Sequence, residues 1–525
     1  MSISQLQTNQ VKAPYMGKPH YPITGLDQLG LNLTSERIFD CLLPGLNNVT
    51  QRIRYYSFYS WFFQWYAAHI GNTSVKQQNS YLRRAEFILA LVAAHNQKGG
   101  VPGITKAQYI YEVSDEVIDL KKGTQEGGTS VGSYWNNSRG VLGQYYISSI
   151  KQLGILADQG STNGLYIRTD FEHESKVSGK QLAEAFIENT ASQLSGFIKA
   201  IEDNSISKTT LEELKTGFDM LLIPNKSKEQ KLFWQLFSGV DNPKLKVDTF
   251  YRKETIKLVL QSFNKAYNIQ KYNQLKVPLS LYDKKWDMLS TTTEKLWYLY
   301  MMEQFWSVAC TSALDSFLKI LKDISNDNWI DEAELVTSIM SKLDVLYESE
   351  GMQPKKDLFI AQQFMEYSVV DLINLARTEP DQYIKLVFIL CAIQKLFLEN
   401  WPHYTSILEF AKSFNMHAAS SFIVSIADIE SQNQLSISDF SHYFLTRYII
   451  NRHYYVALRK LSATQNSAKF YREEGNIRYV DKFIYGYSSP RIHTLVDFLK
   501  DLNLIHRDKI ELTELGQQKL KALSV

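Results

Sequence analysis

The chain has 525 residues, room for roughly two to four domains. Its 44% hydrophobic and 21% charged residues exclude an intrinsically disordered chain, and three scattered cysteines (Cys41, Cys310 and Cys391) argue against a disulfide framework or a cysteine-based zinc site. The net charge of +2 conceals an asymmetry: residues 1–84 carry eight Lys/Arg against three Asp/Glu, residues 441–525 carry fourteen against eight, and the middle is acidic.

Basic ends around an acidic centre fit polyanion contact about as well as ordinary surface variation. The opening residues lack the basic-then-apolar order of a signal peptide, and the apolar runs near 358 and 384 are too short to span a bilayer. A soluble, cytoplasmic protein is expected.

In chain order, Pro14, Pro19 and Pro22 mark an extended lead-in. Ser35 is placed to cap a short helix that ends before Pro44, and Asn48 with Gln51 resembles a capping box opening a longer one. In that longer helix positions 55, 56, 58, 59, 61, 62, 63, 65 and 66 are all aromatic, so rings cover nearly every face and the helix is expected to be buried. The phrase SYLRRAEFILALVAAHN continues as helix to Gly99-Gly100, which closes an N-terminal helical region over 1–100.

Residues 101–190 read as a first mixed module, with a helix over AQYIYEVSDEVIDL, a glycine-rich loop, and then helix, strand, turn, strand and helix. Residues 191–440 read as an irregular helical middle domain without a repeat period; EKLWYLYMMEQFWSVACTSALDSFLKILKDI and DLFIAQQFMEYSVVDLINLA are among its helices. Residues 441–525 hold a basic helix, a hairpin turning at Glu474-Gly475, and a second module.

The two modules share a phrase. Ile150, Leu153, Ile155 and Leu156 in IKQLGIL match Leu499, Leu502, Leu504 and Ile505 in LKDLNLI. A polar turn follows each (ADQGSTNG or HRDK), then a strand (LYIRTD or IELT), then a glycine-bearing helix start (SGKQLAEAF or ELGQQKLKAL). This pattern resembles the end of the DNA-reading helix, wing and closing helix of the winged-helix superfamily. The resemblance covers about 80 residues upstream and 40 downstream. The expected fold class is therefore mainly α: a multi-domain helical protein with two winged-helix-like α+β modules.

The resemblance implies that the helix before each wing enters the major groove. Downstream, Ser489 is expected to cap that helix, with Pro490 in its first turn. Arg491, His493 and Thr494 then face a duplex, and Arg507 and Lys509 form the wing tip. Asp497 and Asp501 are expected on the exposed side, where they repel phosphate, so a protein-docking role for this copy stays open. Upstream, Asn136, Asn137, Ser138, Arg139, Tyr145, Tyr146, Ser149 and Lys151 are candidate contacts, with Arg168 after the wing. An Asn-Asn-Ser cluster can also simply cap a helix. Arg52 and Arg54 beside rings, and Arg452, Arg459 and Lys460 along a basic helix, are candidate phosphate contacts. For Arg52 and Arg54 a buried helix bonded to carboxylates is the simpler expectation.

Enzyme signatures are mostly absent: there is no phosphate-binding glycine loop with its lysine, no H-E-x-x-H, no C-x-x-C and no G-x-S-x-G. The run Glu172, His173, Glu174 reads as a charged strand edge rather than a metal site. No cofactor is expected.

The phrases LLPGLNNVTQRIRYYSFYSWF near the start and HYYVALRKL, FYREEGNIRYV, SSPRIHTLVDFLKDLNLI and ELTELG near the end resemble a group of large uncharacterised bacterial proteins of restriction and anti-phage defence clusters. That resemblance implies a non-catalytic DNA-recognition subunit acting beside a separate nuclease or ATPase. The alternatives are an interaction scaffold whose modules dock proteins, and a nuclease with an unrecognised active site.

Overall fold

A computed structural model describes residues 27–125, 137–160, 164–171, 176–239, 247–264, 273–361, 366–461 and 467–524. The described chain is mainly α, as its composition and periodicity led us to expect. It divides into two compact units: Met1–Glu36 with Met302–Ser488, and Arg37–Met301 with Ser489–Val525. The C-terminal block 441–525 is thus shared between them, and both modules belong to the second unit.

The second unit is organised around the aromatic helix Tyr55–Trp65. Rings cover all but a narrow stripe of Ser57, Ser60 and Gln64, and every ring is buried. Phe58 meets Phe186 and Phe197 at centroid distances of 6.1 and 6.3 Å, and Phe197 stacks on Phe218 at 4.1 Å. Edge-to-face and offset pairs of this kind each add about 0.5–1.5 kcal/mol beyond the area they bury.

The expected cap at Asn48 is not used. Asn47 Oδ1 instead accepts from the Val49 and Thr50 N–H groups and makes a turn, and the helix starts at Tyr55 without a side-chain cap of its own. Distant groups hold the segment that leads into it: the Gln51 and Arg52 N–H groups donate to the Tyr146 hydroxyl, and the Ile53 N–H to Asp501. The 14-residue helix expected after Gly103 also stops early. It spans Ile104–Val113, and Val117–Asp119 then pairs antiparallel with Ser205–Ser207. Glu116 reinforces that pairing by accepting from both the N–H and the hydroxyl of Thr209.

In the first unit, the helices Glu332–Ser349, Val369–Thr378, Gln382–Asn400, Phe422–Ser431 and Ile437–Phe444 begin on Asp331, Ser368, Asp381, Ser421 and Ser436, and each of these side chains accepts from the first turn. Only Val369–Thr378 of the DLFIAQQFMEYSVVDLINLA stretch is helical among its described residues. The hairpin Phe470–Glu473 with Asn476–Tyr479 turns at Glu474 and Gly475, both with positive φ, as the sequence implies. A third strand unmarked in the sequence, Ile330–Asp331, pairs with Asn476–Tyr479. Ser35 corrects another expectation. It lies inside the helix Asn32–Leu42, fully buried, and accepts from Gln304 Nε2 at 2.8 Å, while Asp27 accepts from the Asn32 N–H at 2.8 Å.

No described helix is long and apolar enough to cross a membrane.

Candidate functional site

The two phrases matched in the sequence build the same local structure. Upstream, the helical stretch Leu142–Gln152 ends on Gly154 in the left-handed region (φ 71°); downstream, the helix Ile492–Asp501 ends on Asn503 (φ 56°). Glycine and asparagine are the residues that tolerate this conformation at a helix C-terminus. In each copy the next N–H reaches five residues back: Ile155 to Ile150 at 3.1 Å, and Leu504 to Leu499 at 2.9 Å.

A threonine then locks the closing helix onto this turn. The Thr169 hydroxyl donates to the Gly154 carbonyl at 2.8 Å and accepts from the Gly179 N–H at 3.0 Å. The Thr513 hydroxyl donates to the Asn503 carbonyl at 2.6 Å and accepts from the Gly516 N–H at 3.0 Å. Both threonine N–H groups bond back to the strand, to Ile155 at 2.9 Å and Leu504 at 3.0 Å.

Only glycine fits the start of either closing helix. A Cβ on Gly179 would lie 2.4 Å from the Ile155 carbonyl oxygen, and one on Gly516 would lie 2.0 Å from that of Leu504. The strands differ in extent. Leu156–Asp158 and Tyr166–Arg168 form a ladder, whereas downstream a single bridge joins Ile505 and Leu512.

Residues 45–53 lie between the helices of the two modules. On one side Gln152 Oε1 accepts from the Gly45 N–H at 3.0 Å, Asn47 Nδ2 donates to the Tyr145 carbonyl at 3.0 Å, and the Tyr146 hydroxyl bonds both the N–H and the carbonyl of Arg52. On the other side Arg491 donates to the Leu46 carbonyl at 2.7 Å, the Thr494 hydroxyl to the Asn47 carbonyl at 2.9 Å, and Asp501 accepts from Ile53. The faces expected to enter a groove are occupied by the chain's own segment.

This arrangement takes several of the candidate contacts out of reach of a duplex. Ser149 is buried, donating to the Tyr146 carbonyl and accepting from the Tyr56 hydroxyl at 3.1 Å. Thr494 is buried, and Arg491 pairs with Asp40 at 2.7 Å and stands over the Phe39 ring. His493 contacts Ser489, Gln274 and the Asn48 carbonyl. Ser489 does not cap the helix, because Arg491 takes the position before it in a left-handed conformation (φ 60°).

Asp501, expected on the surface, is buried between Arg52 (3.1 Å) and Arg507 (2.9 Å). Burial pushes its carboxyl up to about 6, against the lowering effect of the two guanidinium groups. Asp497 is half-buried. Arg54 is buried, 3.4 Å from Glu229, and donates to the Asp219 carbonyl, which matches the simpler expectation for it. Arg52 also donates to the Gly100 carbonyl at 2.8 Å.

In the first unit, Arg452 donates to the Leu29 and Gly30 carbonyls, Lys460 to the Asp27 carbonyl, and Arg459 stands exposed over Tyr455.

Of the second unit's candidate cations, three stay away from the covered faces. Lys509 is exposed, Arg139 lies over Tyr166, and Lys151 pairs with Asp158. Arg168 keeps a buried Nε without a partner among the described residues. Asn137 caps its own turn by accepting from the Arg139 N–H at 2.9 Å, and the Ser138 carbonyl accepts from Arg83. Asn136 and the Glu172–Glu174 run lie outside the described residues.

Sequence reasoning missed Glu86. It is fully buried and accepts from the Val141 and Leu142 N–H groups and the Tyr59 hydroxyl, so it caps the upstream helix from a distance of more than fifty residues. Burial pushes its carboxyl up to about 8. An acidic residue in the apolar run of SYLRRAEFILALVAAHN was the available signal. Among the described residues, no three His, Cys, Asp or Glu side chains gather as a metal site would require. Compared with protein-family models, with curated proteins and with solved structures, the chain matches none.

Proposed function

We propose that the protein is a recognition subunit of a multi-protein bacterial anti-phage defence system, using two winged-helix-like modules to contact double-stranded DNA beside a separate nuclease or ATPase. The observation that carries this reading is the repeated threonine–glycine lock behind a helix and turn, present twice in one compact unit. The defence setting rests on the phrases resembling proteins of such gene clusters.

With residues 45–53 covering one side of each helix, contact runs through Arg139 and Lys509 on the turns and Lys151 on the upstream helix rather than through Ser149 and Thr494. Phosphate contacts of this kind release counterions, so affinity should fall steeply with salt.

A mobility-shift titration of the full chain at low and moderate salt tests the proposal. Lys509→Glu and Arg139→Glu should weaken binding, while Thr494→Val should alter thermal stability and leave affinity unchanged. Absence of any shift at low salt would refute it. The covered helices favour a second reading, a scaffold whose modules dock proteins. Co-purification of a neighbouring gene product with no DNA affinity in the complex would select that one.

A further inference from the structure

Behind the downstream module the second unit holds a cavity of about 730 Å³, within the usual range for small-molecule sites. One wall is the start of the helix Lys228–Ser238 and the turn before it; the other is the helix end at Leu502–Asn503 and the closing helix Glu514–Ser524. Two hydrogen bonds hold the walls in register: Gln230 Nε2 donates to the Leu502 carbonyl at 2.9 Å, and Asn503 Nδ2 donates to Asn225 Oδ1 at 3.1 Å.

The lining is chemically lopsided. It carries Lys226, Lys231 and Lys519 but a single carboxylate, Glu514. None of the three ammonium groups has a carboxylate partner among the described residues, and Lys519 rests 5.3 Å over the Trp234 ring. Trp234 is buried, and its indole N–H finds no acceptor among the described residues.

Three ammonium groups against one carboxylate leave an excess that suits a dianion, and a phosphate monoester carries about −1.5 to −2 at neutral pH. The flat indole, with Leu515 and Leu504 beside it, suits a planar heterocycle.

We propose that this cavity binds a nucleoside monophosphate, either free or as the phosphorylated end of a nucleic-acid strand, with the phosphate among the three lysines and the base beside Trp234. The cavity lies beside the downstream turn, but its ligand chemistry does not depend on the proposed duplex contact.

Calorimetric titration of the full chain tests the proposal with five probes: adenosine monophosphate, adenosine, inorganic phosphate, and an oligonucleotide with or without a 5′-phosphate. Adenosine monophosphate or the phosphorylated oligonucleotide should bind saturably. Adenosine, inorganic phosphate and the unphosphorylated strand should each bind at least about tenfold more weakly, since each lacks half of the recognised chemistry. Saturation by the free nucleotide identifies a soluble ligand; saturation by the phosphorylated strand alone identifies a strand end. Lys226→Glu with Lys231→Glu should lower affinity by about tenfold or more while leaving the ligand-free melting temperature within about a degree, because both residues are exposed and lack ion-pair partners among the described residues. Failure of both phosphorylated probes to saturate, or unchanged affinity in the folded double variant, overturns the proposal.

Discussion

Gly516→Ala probes the shared lock most directly. The added Cβ would sit 2.0 Å from the Leu504 carbonyl oxygen, whereas the closest comfortable C···O separation is about 3.3 Å, so backbone must move by more than an ångström. The Leu504 carbonyl accepts the Thr513 N–H at 3.0 Å, and the Gly516 N–H donates to the Thr513 hydroxyl, so that movement also loosens the hydrogen bonds of the lock. Overpacking alone costs about 1–3 kcal/mol and a weakened internal hydrogen bond about 1, giving about 2–4 kcal/mol in total. Gly179→Ala meets the Ile155 carbonyl at 2.4 Å and should cost slightly less.

Gly196→Ala is the control. It lies within the helix Leu194–Asp203, its nearest neighbour would be Thr210 Cγ2 at 3.8 Å, and alanine there should be neutral or stabilising by up to about 1 kcal/mol. Scanning calorimetry of the full chain should show the transition of the second unit fall by about 4–8 °C for Gly516→Ala and stay level or rise for Gly196→Ala. A Gly516→Ala midpoint within about one degree of wild type would refute the lock as a structural constraint.

Two other perturbations follow from buried charge. Arg54→Ala strands Glu229, which also accepts from Ser57 and Asn189, and should cost about 3–5 kcal/mol by denaturant titration; adding Glu229→Leu to an Arg54→Met background should recover most of that, and no recovery would contradict the pairing. Glu303, capping the helix Phe422–Ser431 through the Phe422 and Ile423 N–H groups, is pushed up to about 8 by burial, which those two bonds only partly offset. Its folded value lies above the unfolded one, so the folded state holds the extra proton. The associated stability is present at acidic pH and is lost as pH rises from about 4.3 toward 8. The melting temperature of wild type should therefore fall more steeply between pH 5.5 and 8.5 than that of Glu303→Gln, and parallel profiles would count against it.

Local pattern carried much of the architecture. The buried aromatic helix, the turn at Glu474-Gly475 and the correspondence of Ile150, Leu153, Ile155 and Leu156 with Leu499, Leu502, Leu504 and Ile505 were legible because period, turn chemistry and ring density act over a few residues. Two kinds of feature were not legible, and most of the partners that decide them are distant in sequence. Asn48 and Ser35 looked like caps, yet Tyr146 and Asp501 hold the segment before the one helix and Asp27 accepts from the first residue of the other. Asp501 fell on the apparently solvated side of its helix, but Arg52, nearly 450 residues away, draws it into the interior.

The candidate site shows the same division. Sequence alone determined that the chain is helical, that its arginines cluster with rings, and that one helix–strand–turn phrase occurs twice. Tertiary structure alone decided that both copies share one compact unit and that residues 45–53 lie between their helices. It also decided that Ser149, Thr494 and Arg491 bond the chain itself, because a polar side chain's free energy is set by which donor or acceptor is within reach, and folding chooses that neighbour.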